Sequence, residues 1–438
     1  MILLTILFCI VLLVILVSWA KVNPFVAFLI VSITAGLLLG IPLENITKSV
    51  QKGLGDTLGT ITIIICLGAM TGKLVATSGA AQKIAEVLVN LFGVRYIQWA
   101  LVVVGFIVGI PLFYNTGFVL MVPLIFSVVY KYKLPAVYIG LPMLAALSVT
   151  HGFLPPHPSP TALVGMFHAN MGKTLVYGIM LAIPAIILAG PVFASTLKKI
   201  PSSPLATFRA EELPADKLPD ALNSFLTALL PVILLMASAF YLNTDHSTGA
   251  LHKLVTFIGD APIVMLISFI FATYSLGIKQ GISMKKLADL YGDAIKDIAG
   301  ILLIIGGSGV FKQVLVDSGA DKDITAILQS FHLQPLVMGW LLAAIIRISL
   351  GSATVAGLTT AGIISTMIVN DHSINPNLMV LSIGAGSLAF SHVNDGGFWM
   401  FKEYFNLSIK DTIRSWSLME SIVSVVGLIG VLVLNQIV

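Results

Sequence analysis

The chain has 438 residues, of which 57% are hydrophobic and only 10% charged, with a mean hydropathy of +1.01. Soluble domains carry roughly 25% charged residues, so a water-soluble globule is excluded. The formal net charge of +4 does not suggest nucleic acid, and the two cysteines, Cys9 and Cys66, lie in apolar runs without disulfide or zinc-finger spacing.

In chain order, apolar runs near 20 residues recur at about 2–20, 24–42, 57–77, 174–196, 222–243, 260–278, 296–316 and 413–436, each enough to cross a bilayer. The first ends on "SWA", a passable small-x-small cleavage site, but no positive charge precedes it, since Lys21 is the first charge in the chain. The signal-peptide pattern is therefore incomplete, and the run is expected to be a retained span. The one long polar stretch, "KKIPSSPLATFRAEELPADKLPD" at 198–220, reads as a linker. It divides the chain into a first unit at 1–196, a cytoplasmic linker at 197–221 and a second unit at 222–438.

The two units resemble each other. "LGTITIIICLGAMTGKLVATSGAAQKIAEVL" at 58–88 lies without a gap over "IAGILLIIGGSGVFKQVLVDSGADKDITAIL" at 298–328, with Ser78-Gly79-Ala80 over Ser318-Gly319-Ala320. Further on, "IVGIPLFYNTGF" at 107–118 falls over "IIRISLGSATVA" at 345–356, His151 over His392, and "GKTL" over "KDTI". Each unit reads as three helices, an apolar segment interrupted by small and polar residues, a helix broken by Pro or Gly, and a closing helix. If the interrupted segments, 97–129 and 335–369, enter and leave as re-entrant hairpins, each unit crosses five times. An odd number inverts the second unit. Lys and Arg placement agrees: with both termini in the periplasm, sixteen of the 24 cations fall in inside loops, five (Lys48, Lys52, Lys173, Lys253 and Lys322) in outside loops, and Lys73, Lys312 and Arg347 within apolar segments. The expected fold is an all-α polytopic membrane protein of two inverted repeats.

Inverted repeats with discontinuous helices are a secondary-transporter design, in which half-helix ends and freed backbone groups bind substrate and ion. The first break, "THGFLPPHPSPT" at 150–161, crowds four prolines at membrane depth, where non-helical backbone is tolerated only when buried in protein or lining a cavity. The second, "AFSHVNDGGFWMFKEYF" at 389–405, carries Asp395, a carboxylate that needs a partner, a cavity or a titrating role, beside His392 and Asn394. The hairpin tips contribute Tyr114, Asn115, Thr116 and Gly117, and Gly351, Ser352, Ala353 and Thr354, small and hydroxyl residues that let backbone approach a ligand. Arg347 is expensive in an apolar segment unless it pairs with Asp395, a substrate carboxylate or water. With Thr150, His151 and Asn394 these residues are the expected substrate site, and Asp395, His151 and His392 the expected proton-coupling groups. No metal is expected, because His151 and His157 lack a further ligand nearby.

The motifs "ALSVTHGFLPPHPSPTA", "GGSGVFKQVLVDSG", "RISLGSATVA" and "SHVNDGGFWMFKEYFNLSIKDT" resemble the gluconate:proton symporter (gluconate permease) family over essentially the whole chain. The resemblance implies uptake of gluconate or a related sugar acid with protons across a bacterial inner membrane and elevator-type movement; no cofactor is expected, and a homo-oligomer is, a dimer being the simplest form. The chain departs from the family pattern at Asn115, where a glutamate is common, at Ser159, where glycine is usual, and at Gly396, where proline is usual. Another hydroxy acid, D-serine or sodium coupling stays open as an alternative. A membrane-embedded hydrolase would lack a nucleophile, and a passive channel would not need two opposed hairpins.

Overall fold

The computed structural model describes residues 2–202, 213–244, 249–320, 333–370, 374–392 and 395–438. Among the described residues every regular element is helical. Asn394 lies outside them, as do the side chains of Asn115 and Thr116.

Helix α1 (Ile2–Val14) runs into a π-helical turn at Ile15–Trp19, and α2 (Pro24–Leu38) follows with Asn23 as N-cap, its side chain accepting from Phe25 N at 2.9 Å. The apolar run at 24–42 suggested a span, yet α2 has only 15 residues, about 22 Å of helix, short of a roughly 30 Å hydrocarbon core. It stops there because Gly40 turns the chain at φ +81° and Pro42 then opens α3 (Leu43–Thr77), so the end of the run forms a turn. The run at 57–77 is the second half of the 35-residue α3, whose polar first half continues the same helix.

Helices α4 (Ala80–Phe92) and α5 (Ile97–Gly109) meet at Gly93 and belong to one apolar pair bent by 109°. The first hairpin segment is α5 followed by α6 (Tyr114–Tyr132), and the first proline break separates α7 (Ala136–Phe153) from α8 (Pro158–Met166). Helix α9 (Met171–Ile187) closes the first unit. The second unit has α10 (Ala221–Thr244), a short α11 (Ala250–Ile258), α12 (Ala261–Ala272) and the 34-residue α13 (Met284–Asp317). Next come α14 (Pro335–Leu350) and α15 (Ala353–Asn370), then α16 (Pro376–Gly386), α17 (Gly396–Tyr404), the four-residue α18 (Ile409–Thr412) and α19 (Leu418–Leu434). Among the described residues seven helices are long and apolar enough to cross a membrane, or eight if the bent pair is one span.

The long helices α3 and α13 pack through glycine. A Cβ on Gly53 would lie 2.5 Å from Gly309 O, and one on Gly309 would lie 2.0 Å from Thr57 Oγ1, so the two backbones approach as closely as small residues permit. A Cβ on Gly72 would come within 2.2 Å of Pro111 O, which seats the first hairpin break against α3. Helix α7 is the centre of the molecule: within it only Tyr138 and His151 are not fully buried. Large apolar side chains such as Trp19, Ile183, Phe240, Ile270 and Ile429 are exposed on the periphery, as lipid-facing residues are.

Candidate functional site

A cavity of about 1080 Å³ opens among α3, α7, α13, the α14–α15 junction and the start of α17, and reaches Trp416 and Glu420 on the closing helix. Its floor is made by the way α14 ends. Gly351 takes the left-handed conformation at φ +75°, its N–H donating to Arg347 O at 2.9 Å, and α15 restarts with Ser352 O accepting from Ala356 N at 2.9 Å. A side chain at that φ would be strained, so glycine is the residue that lets the hairpin turn here. Gly351, Ser352, Ala353 and Thr354 all line the cavity. The first turn of α15 therefore brings to it backbone N–H groups that have no acceptor inside the helix.

Arg347, in the last turn of α14, is 3% exposed. Its Nη2 donates to Asp395 Oδ2 at 2.5 Å, an ion pair in which the guanidinium is buried and the carboxylate partly so. Asp395 is also the N-cap of α17, accepting from Gly397 N at 3.1 Å, and Ser391 Oγ donates to the same oxygen as Arg347. Trp416 Nε1 holds Ser391 Oγ in place at 2.8 Å. Asp395 is thus fixed by three donors, while Arg347 Nε and Nη1 are buried with no partner among the described residues. Tyr114 packs between Trp416, at 5.9 Å between ring centres, and His151, at 6.0 Å. Tyr114 OH and His151 Nδ1 are likewise buried and unpartnered among the described residues.

The cavity gathers Tyr114, His151, Arg347, Gly351 to Thr354 and Asp395 from the expected set and leaves others aside. Thr150 is buried, donates to Leu147 O at 2.9 Å and faces Gly109 on α5. Gly117 packs on Leu147, and His392 Nε2 bonds Ile348 O at 2.9 Å; neither is among the lining residues. The proline break is itself buried in protein, with residues 152–160 covered and His157 Nε2 bonded to Gly109 O at 2.8 Å. The cavity is reached from the turn before that break, by Ser148 and His151.

Sequence reasoning passed over Ser148, Trp416, Glu420 and the Lys73–Asp297 pair, all of which line the cavity. Lys73 Nζ donates to Asp297 Oδ2 at 3.0 Å and ties α3 to α13. Ser148 Oγ donates to Glu420 Oε1 at 2.6 Å, and Glu420 is only 2% exposed. The signal for Glu420 was present: it is an acid inside the apolar run at 413–436. Among the described residues no group of three or more His, Cys, Asp or Glu could hold a metal ion.

The family model described as "GntP family permease" matches residues 1–438. The chain is 46% identical over 430 residues to a high-affinity gluconate transporter of Escherichia coli (strain K12), covering 98% of each chain. It is 44% identical over 427 residues to the Gnt-II system L-idonate transporter of the same strain, covering 97% of each. It is 43% identical over 440 residues to a gluconate permease of Bacillus subtilis (strain 168), again covering 97% of each. In fold it is similar to the Alcanivorax borkumensis YdaH transporter, with a TM-score of 0.68 at 16% identity over 95% of this chain and 98% of that one. Neisseria gonorrhoeae MtrF follows at a TM-score of 0.60 and 13% identity over 94% of each chain.

Proposed function

Because this chain belongs to the GntP family of permeases, we propose that it is a secondary transporter that carries a gluconate-type sugar acid into the cell together with protons by alternating access. The observation that carries the reading is the Arg347 guanidinium, buried at the cavity with Nε and Nη1 unpartnered among the described residues. Unpartnered guanidinium N–H groups suit a carboxylate, and charge-assisted bonds to one are about twice as strong as neutral bonds. The N–H groups at the start of α15 add a second anion-favouring element. Tyr114 OH and His151 Nδ1 supply partners for hydroxyls. Gluconate and L-idonate, in the names of the similar proteins, both combine one carboxylate with a row of hydroxyls.

Asp395 is the proposed coupling group. Arg347 and Asp395 form a neutral pair, and a substrate monoanion entering this low-dielectric cavity adds a charge that a proton on Asp395 would balance. The movement is proposed to be elevator-like, between two inverted repeats in an inner membrane. The repeated element order supports it, as do the matched ends of α3 and α13, where Gly79 and Gly319 both turn with positive φ at +82° and +72°.

Replacing Arg347 by Lys keeps the charge and loses the planar, fixed set of guanidinium donors. Arg347→Lys is expected to raise the KM for gluconate about tenfold, the loss of one good hydrogen bond, with the protein still reaching the membrane. Wild-type kinetics in this variant would show that Arg347 only supports the fold.

A further inference from the structure

We infer that Glu420 is a substrate-binding residue which holds a proton and donates it in a hydrogen bond to a hydroxyl of the bound acid. The inference rests on the reading above, that the cavity takes hydroxy acids. Glu420 stands on α19, one turn beyond Trp416, and lines the cavity while being 2% exposed. Its two oxygens differ: Oε1 accepts from Ser148 Oγ at 2.6 Å, and Oε2 is buried with no partner among the described residues.

The charges around it decide its form. Arg347 on α14 faces it, as do Asp395 at the start of α17, His151 on α7 and Tyr114 on α6. Helix α16 carries no ionisable side chain, and Lys173 and Tyr177 of α9 lie outside the cavity lining. Of the two cations on the cavity lining, Arg347 is already matched by Asp395 at 2.5 Å and Lys73 by Asp297 at 3.0 Å. An ionised Glu420 would be a carboxylate with no cation of its own and a single hydrogen bond, and a substrate anion would add a second unmatched negative charge. Burial without compensation disfavours such an arrangement strongly. A neutral Glu420 satisfies every constraint: Oε1 accepts from Ser148, and the otherwise unpartnered Oε2 carries the hydroxyl that donates to the ligand. An acid so placed distinguishes a hydroxy acid from a plain carboxylic acid of equal length, because only the former gives the donor a partner.

The test is exchange of labelled gluconate in proteoliposomes at equal pH on both sides, with hexanoate, a six-carbon acid lacking the hydroxyls, as competitor. The amide of Glu420→Gln can still accept from Ser148 and donate to a hydroxyl. Its KM is expected to rise only about three- to tenfold, and it should still concentrate gluconate when a pH gradient is imposed. Glu420→Leu keeps the volume and loses both bonds, so its KM should rise about thirtyfold or more, and its preference for gluconate over hexanoate should fall by a similar factor. A Leu variant with wild-type KM and preference overturns the inference. So does a Gln variant that exchanges gluconate yet cannot accumulate it, because the Glu420 proton would then move in each cycle. If Leu does not reach the membrane, the Gln variant decides alone. A wild-type protein that exchanges no gluconate overturns the substrate reading and this inference together, whereas failure confined to the variants leaves the former standing.

Discussion

At Arg347 the guanidinium gives Nη2 to Asp395 and leaves Nε and Nη1 without a partner among the described residues, so in the proposed site Asp395 and an entering anion compete for one cation. Asp395→Asn preserves the N-cap acceptor of α17 but cannot ionise. It is expected to abolish accumulation driven by a pH difference while slower exchange of external for internal gluconate continues. Removing one partner of a buried pair costs about 3–5 kcal/mol, so the amount of folded protein in the membrane has to be measured alongside. Accumulation at the wild-type level would move the coupling role to His151, the other expected titratable group lining the cavity. Arg347 and Asp395 were legible in sequence because a charge inside an apolar segment is conspicuous, and their pairing was one of the stated alternatives. Glu420 carries the same signal, a single acid inside a 24-residue apolar run, but no break or hairpin beside it marks it as part of a site. Ser148 and Trp416 follow no pattern that marks a site, since their roles arise only when α7 and the segment before α19 meet.

Among the elements, the interrupted segments at 97–129 and 335–369 were legible from small and polar residues, and the helices stop within them at 110–113 and 351–352. The proline cluster was legible as a break but not as a buried one, because His157 bonds the backbone carbonyl of Gly109 on α5, 48 residues away. The same interruption in both halves underlies the proposed inversion, which places the end of the first unit inside and the α11 region outside. Lys199, exposed after α9, and Lys253, exposed on α11, are suitable reporters. Single cysteines at these positions should differ in intact cells, with Lys199→Cys shielded from an impermeant maleimide and Lys253→Cys labelled. Equal labelling of both would remove the inverted arrangement.

Over the whole molecule, composition sufficed for a polytopic helical membrane protein, and the motifs sufficed for the permease family. The count of spans was less legible, because hydropathy marks apolar length and not where a helix ends: α2 is cut at Gly40, and α3 extends through polar residues. The depth of the site was not legible, since it depends on the close packing of α3 and α13 through Gly53 and Gly309 and on an α7 buried at all but Tyr138 and His151. The chamber they enclose is lined by two cations, Lys73 and Arg347, and three carboxyl groups, Asp297, Asp395 and Glu420, and its proposed role is that of a proton-coupled sugar-acid carrier. The most direct measurement is uptake of radiolabelled gluconate by purified protein in proteoliposomes with an acidic exterior and no sodium. The account predicts accumulation above the external concentration that collapses when a protonophore is added and is competed by L-idonate; accumulation that ignores the protonophore, or that requires sodium, would contradict it.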